Sequence, residues 1–137
     1  MACDCGKCGG KITGLAHIGI MVKDMEASIR FYRDVLGFEL TEQAQVGASK
    51  LAFLNIGTCL LELVQAADYA PRPTGVVDHI AIEVTDIENL VCQLTEHRIA
   101  FLSDSIATLA SLQGGVKNIF FTGPDGERLE FFEHLSK

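Results

Sequence analysis

Basic residues are scarce in this sequence: 11 Lys and Arg stand against 18 Asp and Glu, a formal net charge of −7 at pH 7. Neutralising nucleic-acid phosphates takes clustered Lys and Arg, so that class of partner is excluded. An anionic substrate would have to find local basic residues against the same background. Long hydrophobic runs are missing too. No stretch approaches the ~18 apolar residues of a membrane span, and the N-terminal MACDCGKCGG lacks the apolar centre of a signal peptide. A cytoplasmic protein without membrane contact is therefore expected. Cysteine pairs are also short by one, because the count is five; without a secretion signal they read as thiols rather than a disulfide framework. Apolar side chains are plentiful, 48% against 21% charged. That suffices for one compact domain, or for two small modules sharing a core.

The chain writes one ten-residue phrase twice. HIGIMVKDME begins at His17 and HIAIEVTDIE at His79, an offset of 62 with identity at His17/His79, Ile18/Ile80, Ile20/Ile82, Val22/Val84, Asp24/Asp86 and Glu26/Glu88. Each copy alternates in the manner of a strand and then changes to helical period. Asp24 and Asp86 stand where N-caps belong. Ile29, Tyr32, Val35 and Leu36 form one apolar stripe, and Ile87, Leu90, Val91 and Leu94 the other. Gly37 follows the first helix, where a left-handed residue ends it. Three short β segments follow each helix: residues 39–45, 50–55 and 59–65 in the first half, 101–105, 116–121 and 128–133 in the second. GPDGE (123–127) is a turn signal before the last of them. The expected fold is α+β: tandem βαβββ modules forming a curved mixed sheet, a cup, around a metal site. The divisions are a flexible Cys/Gly-rich tail over 1–11, a first module over 12–65, a linker over 66–77 carrying two prolines, and a second module over 78–137.

Each module opens with a histidine and carries a glutamate on its last strand, Glu62 in CLLELVQ and Glu130 in RLEFFE. A lone carboxylate in such apolar runs is costly to bury, so a compensating partner is required. On the first strand His17, Gly19 and Met21 share one face; in the repeat the face is His79, Ala81 and Glu83. A pseudo-two-fold between modules would gather His17, Glu62, His79 and Glu130 at one centre. Two imidazoles and two carboxylates suit Ni²⁺, Co²⁺, Zn²⁺, Fe²⁺ or Mn²⁺, with positions left for water or substrate.

LAHIGIMVKDMEASIRFYRDVLGFEL resembles the opening of the vicinal oxygen chelate superfamily, in particular bacterial glyoxalase I and next methylmalonyl-CoA epimerase, and the likeness runs from about residue 12 to 134. The resemblance implies metal ligands at His17, Glu62, His79 and Glu130, and one divalent metal per site (Ni²⁺, Zn²⁺ or Co²⁺). It further implies a lyase or isomerase acting on a hemithioacetal or related α-hydroxycarbonyl through a metal-stabilised enediolate. The expected base is Glu130, with Glu62 as the alternative. Homodimers are common in the family, and the halves of one site then come from one chain or from two. Glu62 and the GPDGERLEFFE ending favour the glyoxalase side, where the epimerases commonly carry glutamine at the second ligand. Against a glutathione substrate, Met21 and Ala66 stand where bacterial glyoxalase I has an arginine and an asparagine. The alternatives are a methylmalonyl-CoA-type epimerase and a metal-free small-molecule binding protein of the same fold.

Other features carry smaller expectations. Arg128 shares strand parity with Glu130 and is a candidate for a substrate carboxylate. Lys117, at the end of the loop SLQGGVKN, is a candidate for an anionic group. Cys59 and Cys92 are expected to act as small buried hydrophobes, His97 to lie at a helix C-terminus, and His134 to be exposed.

Overall fold

The computed structural model describes residue 10 and residues 13–72 and 75–136. The tail expected over 1–11, with Cys3, Cys5 and Cys8, lies outside the described residues apart from Gly10. In the first half β1 (His17–Met21) leads to Asp24, whose extended backbone (φ −132°) lets its carboxylate accept the Ala27 N–H at 3.1 Å. This cap starts α1 (Met25–Ile29), which widens into a π-helical segment (Arg30–Val35). In the wider turn Leu36 donates its N–H to the Phe31 carbonyl at 3.0 Å, and both Phe31 and Tyr32 are buried. Gly37, at φ +82°, then reverses the chain, as its position after the stripe predicts.

Three strands follow, β2 (Glu39–Val46), β3 (Ser49–Asn55) and β4 (Leu60–Gln65). The second half repeats the plan with β5 (Ile80–Glu83), α2 (Ile87–Glu96), β6 (Ala107–Leu109), β7 (Val116–Thr122) and β8 (Arg128–His134). The sheets have corresponding orders, β1-β4-β3-β2 and β5-β8-β7-β6, with β1/β4 and β5/β8 parallel and the other pairs antiparallel. The fold is therefore α+β, two βαβββ units each with a mixed sheet.

Alternation on the last strands separates core from site. Leu61 and Leu63 on β4, and Leu129 and Phe131 on β8, point into a core that also holds Val22, Tyr32, Leu94 and Phe121. Glu62 and Glu130 therefore face the other side of their sheets. Among the described residues no helix is long and apolar enough to cross a membrane.

Five local expectations are corrected. Asp86 adopts φ +55° and makes no side-chain cap; its carbonyl instead accepts from Asn89 and Leu90. The strand expected at 101–105 reduces to a bridge between Phe101 and Phe121, and β6 forms further on. The Ser103 hydroxyl accepts the Phe120 N–H at 3.0 Å, so a side chain takes a ladder position. Cys92 is exposed because it lies on the outer face of α2, away from Ile87 and Leu94, and Cys59, just ahead of β4, is half-buried. His134, expected to be exposed, has a side chain only 16% exposed, packed edge-on to Phe132 with ring centroids 5.2 Å apart.

The two halves meet at the turn 123–127. Asp125 accepts from the Lys23 N–H (2.9 Å), the Tyr69 hydroxyl (3.0 Å) and the Ser28 hydroxyl (3.4 Å). Glu127 accepts from the buried Tyr32 hydroxyl at 2.7 Å, and its other oxygen takes the Asp125 N–H. Burial first, then the charge and hydrogen bond of Glu127, hold the Tyr32 hydroxyl well above the usual phenol range.

Candidate metal and substrate site

The parallel pairing of first and last strands sets Gly19 beside Glu62 and Ala81 beside Glu130. Small residues are needed there: a Cβ on Gly19 would lie 3.5 Å from the Glu62 carboxylate, an ordinary contact that the repeat fills with alanine. Antiparallel pairing supplies a phenylalanine to each carboxylate, Phe53 opposite Glu62 and Phe120 opposite Glu130. The histidines complete two similar groups. His17 Nε2 lies 3.8 Å from Glu62, with its ring edge-on to Phe53 at 6.2 Å between centroids. His79, immediately before β5, has Nε2 3.1 Å from Glu130 and its ring edge-on to Phe120 at 5.2 Å.

The second group is held more firmly. Asp78 lies 2.8 Å from His79 Nδ1, and Arg128 donates to both Asp78 oxygens at 3.1 and 3.2 Å. A carboxylate at Nδ1 fixes the orientation of the ring, with Nε2 turned towards Glu130. The hydrogen bond from His79, then the charge of Arg128, outweigh desolvation and hold the Asp78 carboxyl below its ordinary range. Glu130 is 5% exposed and accepts from Asn118 at 2.8 Å. In the first group Ala16 occupies the position of Asp78, and Glu62 is only half-buried.

The sequence-based site residues thus fall into pairs. His17 is with Glu62, and His79 is with Glu130. Among the described residues no group of three or more His, Cys, Asp or Glu side chains could hold a metal, so the four are not gathered within one chain. Each pair offers one nitrogen and one oxygen donor, right in kind for a borderline divalent ion but short of the three or four protein ligands such ions take. Arg128 joins the second pair through Asp78, and its guanidinium lies over the Phe120 ring, 5.4 Å from the centroid. Lys117 lies elsewhere. Its neighbour Asn118 faces Glu130, whereas Lys117 pairs with Glu88 of α2 on the opposite side of the sheet. The hydrogen bond that it donates to Glu88, against partial desolvation, raises its ammonium above the usual range.

Asp78 and Asn118 were missed by sequence reasoning. Asp78 carried a signal, since the acid directly before the second histidine has no counterpart before the first. Asn118 carried none without the β7/β8 register. A cleft of about 280 Å³ adjoins His79 and Asp78, bounded by β1, Tyr69, Arg72 and Arg128.

Residues 14–131 match the family described as the Glyoxalase/Bleomycin resistance protein/Dioxygenase superfamily. The uncharacterized protein YwbC of Bacillus subtilis is 35% identical over 122 residues, covering 85% of this chain and 94% of YwbC. The mitochondrial methylmalonyl-CoA epimerase of Mus musculus is 32% identical over 105 residues, 69% of this chain and 58% of the epimerase. A glyoxalase family protein from Enterococcus faecalis has a similar structure, with a TM-score of 0.74 at 26% identity over 88% of this chain and 97% of that one.

Proposed function

The chain belongs to the Glyoxalase/Bleomycin resistance protein/Dioxygenase superfamily, and from that premise we propose that it is a cytoplasmic, metal-dependent lyase or isomerase of the glyoxalase I type, acting on a hemithioacetal or another α-hydroxycarbonyl compound. The observation that carries this reading is the doubled imidazole–carboxylate pair, His17 with Glu62 and His79 with Glu130, each backed by a phenylalanine in the same register. One ion such as Ni²⁺, Zn²⁺ or Co²⁺ would be held by these four residues, and when bound it supplies positive charge beside two adjacent substrate oxygens, which acidifies the neighbouring C–H.

Because the pairs are separate within one chain, a second copy would bring its His79 and Glu130 to His17 and Glu62 of the first, making a homodimer with two sites. Leu15 and Val77, each two residues ahead of its histidine, are 72% and 77% exposed, which favours a face that another chain covers.

Proton transfer falls to a carboxylate that can leave its place. Glu130 is buried and held by Asn118 and His79, whereas Glu62 is more open and farther from its histidine. Glu62 is therefore the base and Glu130 the anchor, the reverse of the order that the family resemblance implies. Arg128, through Asp78, keeps the His79 ring in its orientation.

The test is calorimetric titration of Ni²⁺ into chelator-stripped protein with Cys3, Cys5 and Cys8 replaced by serine. About one ion per chain is expected, with affinity weakened at least ~10-fold in His79→Ala. Equal affinity in the variant and the parent would overturn the assignment. The likeness to the mouse epimerase supports a second reading, epimerisation of an acyl-CoA thioester. Deuterium uptake from solvent into such a thioester, without turnover of a methylglyoxal hemithioacetal, would select it.

A further inference from the structure

The cleft of about 280 Å³ beside His79 and Asp78 is bounded by both modules and by the linker between them. Ile18 and Met21 of β1, with Val77 and Ile80 of the second half, give it apolar walls. Two guanidiniums line it, those of Arg128 and Arg72. Arg128 is engaged by Asp78, to which it donates at 3.1 and 3.2 Å. Arg72 is exposed, and among the described residues no carboxylate pairs with it. Its charge bears instead on a neighbouring phenol. The hydrogen bond to Asp125, then desolvation, raises the Tyr69 hydroxyl above the usual phenol range, and Arg72 opposes that rise.

The acids around the cleft are already engaged. Asp125 accepts from the Lys23 N–H and from the Ser28 and Tyr69 hydroxyls, and Glu127 from Tyr32 and the Asp125 N–H, so both serve to join the modules. Asp78 faces His79 and Arg128. Arg72 is thus the charged group of the described lining whose donors face a ligand, and a guanidinium fork matches one carboxylate with two parallel hydrogen bonds. Charge and size then set limits on that ligand. Three carboxylates against two guanidiniums leave the lining with one negative charge in excess, so each negative charge on a ligand beyond the first would meet repulsion. A volume just under the ~300–1,000 Å³ of small-molecule sites suits a short chain and leaves no room for a nucleotide.

We infer that Arg72 binds a single terminal carboxylate of the substrate, with the substrate's apolar chain along Ile18 and Met21 and its reacting end at His79. Calling this ligand a substrate rests on the proposed function; the preference of the cleft for a short monocarboxylate does not. The inference also separates the two readings of the reaction. A hemithioacetal of a small thiol that ends in one carboxylate fits the cleft in both charge and size. An acyl-CoA thioester, whose tail is a nucleotide with several phosphate charges, fits in neither. Arg72 lies in the linker, outside the duplicated pattern, so the repeat does not point to it.

The test uses chelator-stripped full-length protein, so that it is independent of metal and of turnover. Hexanoate, hexanol, hexylammonium and coenzyme A are titrated in turn, and the Met21 and Ile80 methyls and the Tyr69 and Arg72 amides are followed by NMR. Hexanoate should shift these signals with a Kd roughly 5- to 10-fold below those of hexanol and hexylammonium, the scale of one charge-assisted contact at an exposed arginine. Coenzyme A should bind more weakly than hexanoate. Arg72→Gln should bring hexanoate and hexanol within about two-fold of each other. The inference is overturned if hexanol or hexylammonium binds as well as hexanoate, or if no probe moves these signals. It is overturned too if the preference survives in Arg72→Gln, which would assign it to His79 or Arg128, or if coenzyme A binds more tightly than hexanoate. Hexanoate binding at Arg72 without Ni²⁺ binding would keep this inference and sink the proposed function; Ni²⁺ binding without a carboxylate preference would do the opposite.

Discussion

Glu62 and Glu130 occupy matched places in the repeat, yet their surroundings differ, and the difference predicts different consequences for one substitution. Glu130 lies between His79 and Asn118 at 5% exposure, while Glu62 is 3.8 Å from His17 and more open. A buried carboxylate with two partners is costly to move, so Glu130 should contribute mainly to metal affinity. Glu62→Gln should keep metal affinity within a few-fold while lowering kcat by at least ~100-fold, the range attributed to general bases. Glu130→Gln should weaken metal binding ~10-fold or more and lower activity in proportion to occupancy. Metal titration and single-turnover rates on both variants separate the roles. The reverse pattern would make Glu130 the base.

At the scale of elements, the contact between α1 and the turn 123–127 shows its strength through pH. The Tyr32 hydroxyl donates to Glu127 in a buried setting, and burial together with the Glu127 charge holds its ionisation well above the usual phenol range. A raised folded-state pKa means that the protonated phenol stabilises the fold. That contribution is complete below the unfolded-state value and is lost as pH rises from about 10 towards the folded-state value. Urea melts of the parent should therefore lose stability above about pH 10 more steeply than those of Tyr32→Phe, which should be less stable than the parent by ~1–2 kcal/mol near neutrality. Parallel pH profiles would remove this contact as the cause. The same element shows where sequence reading succeeds and fails. Asp24, the apolar stripe and Gly37 predict a helix over this segment because each acts through its own local backbone. The π-helical widening at Arg30–Val35, where the adjacent Phe31 and Tyr32 are both buried, is not legible in a 3.6-residue period. Ser103 and the misjudged strand at 101–105 illustrate the other limit, a side chain bonding to a strand far away in sequence. The pairs His17/Glu62 and His79/Glu130 were legible because strand parity and duplication both act on them. Asn118 depended on a strand register that sequence does not state.

For the whole molecule, the proposed function raises the question of how two histidine–carboxylate pairs in separate sheets could share one metal. Asp125 and Glu127 fasten the second module to Lys23, Ser28 and Tyr32 of the first through three hydrogen bonds, and Asp125 also accepts from Tyr69 of the linker. A site built within one chain would need His17 and His79 to meet across these contacts. Association of two chains would leave them intact, and would cover Leu15 and Val77 as well. The two arrangements make opposite predictions for mixed variants. In a shared site, a His17→Ala chain still offers its own His79, and a His79→Ala chain still offers its own His17. Each mixed dimer then contains one intact site and one that lacks both histidines. Random exchange makes half of all dimers mixed, so combining the two inactive variants should restore about a quarter of the parent's high-affinity metal sites and activity. If instead each chain builds its own site, every chain in the mixture still lacks one ligand, and nothing is restored whatever the oligomeric state. Denaturing and refolding the variants together, then titrating metal, distinguishes the two outcomes, because recovery requires a ligand from each chain.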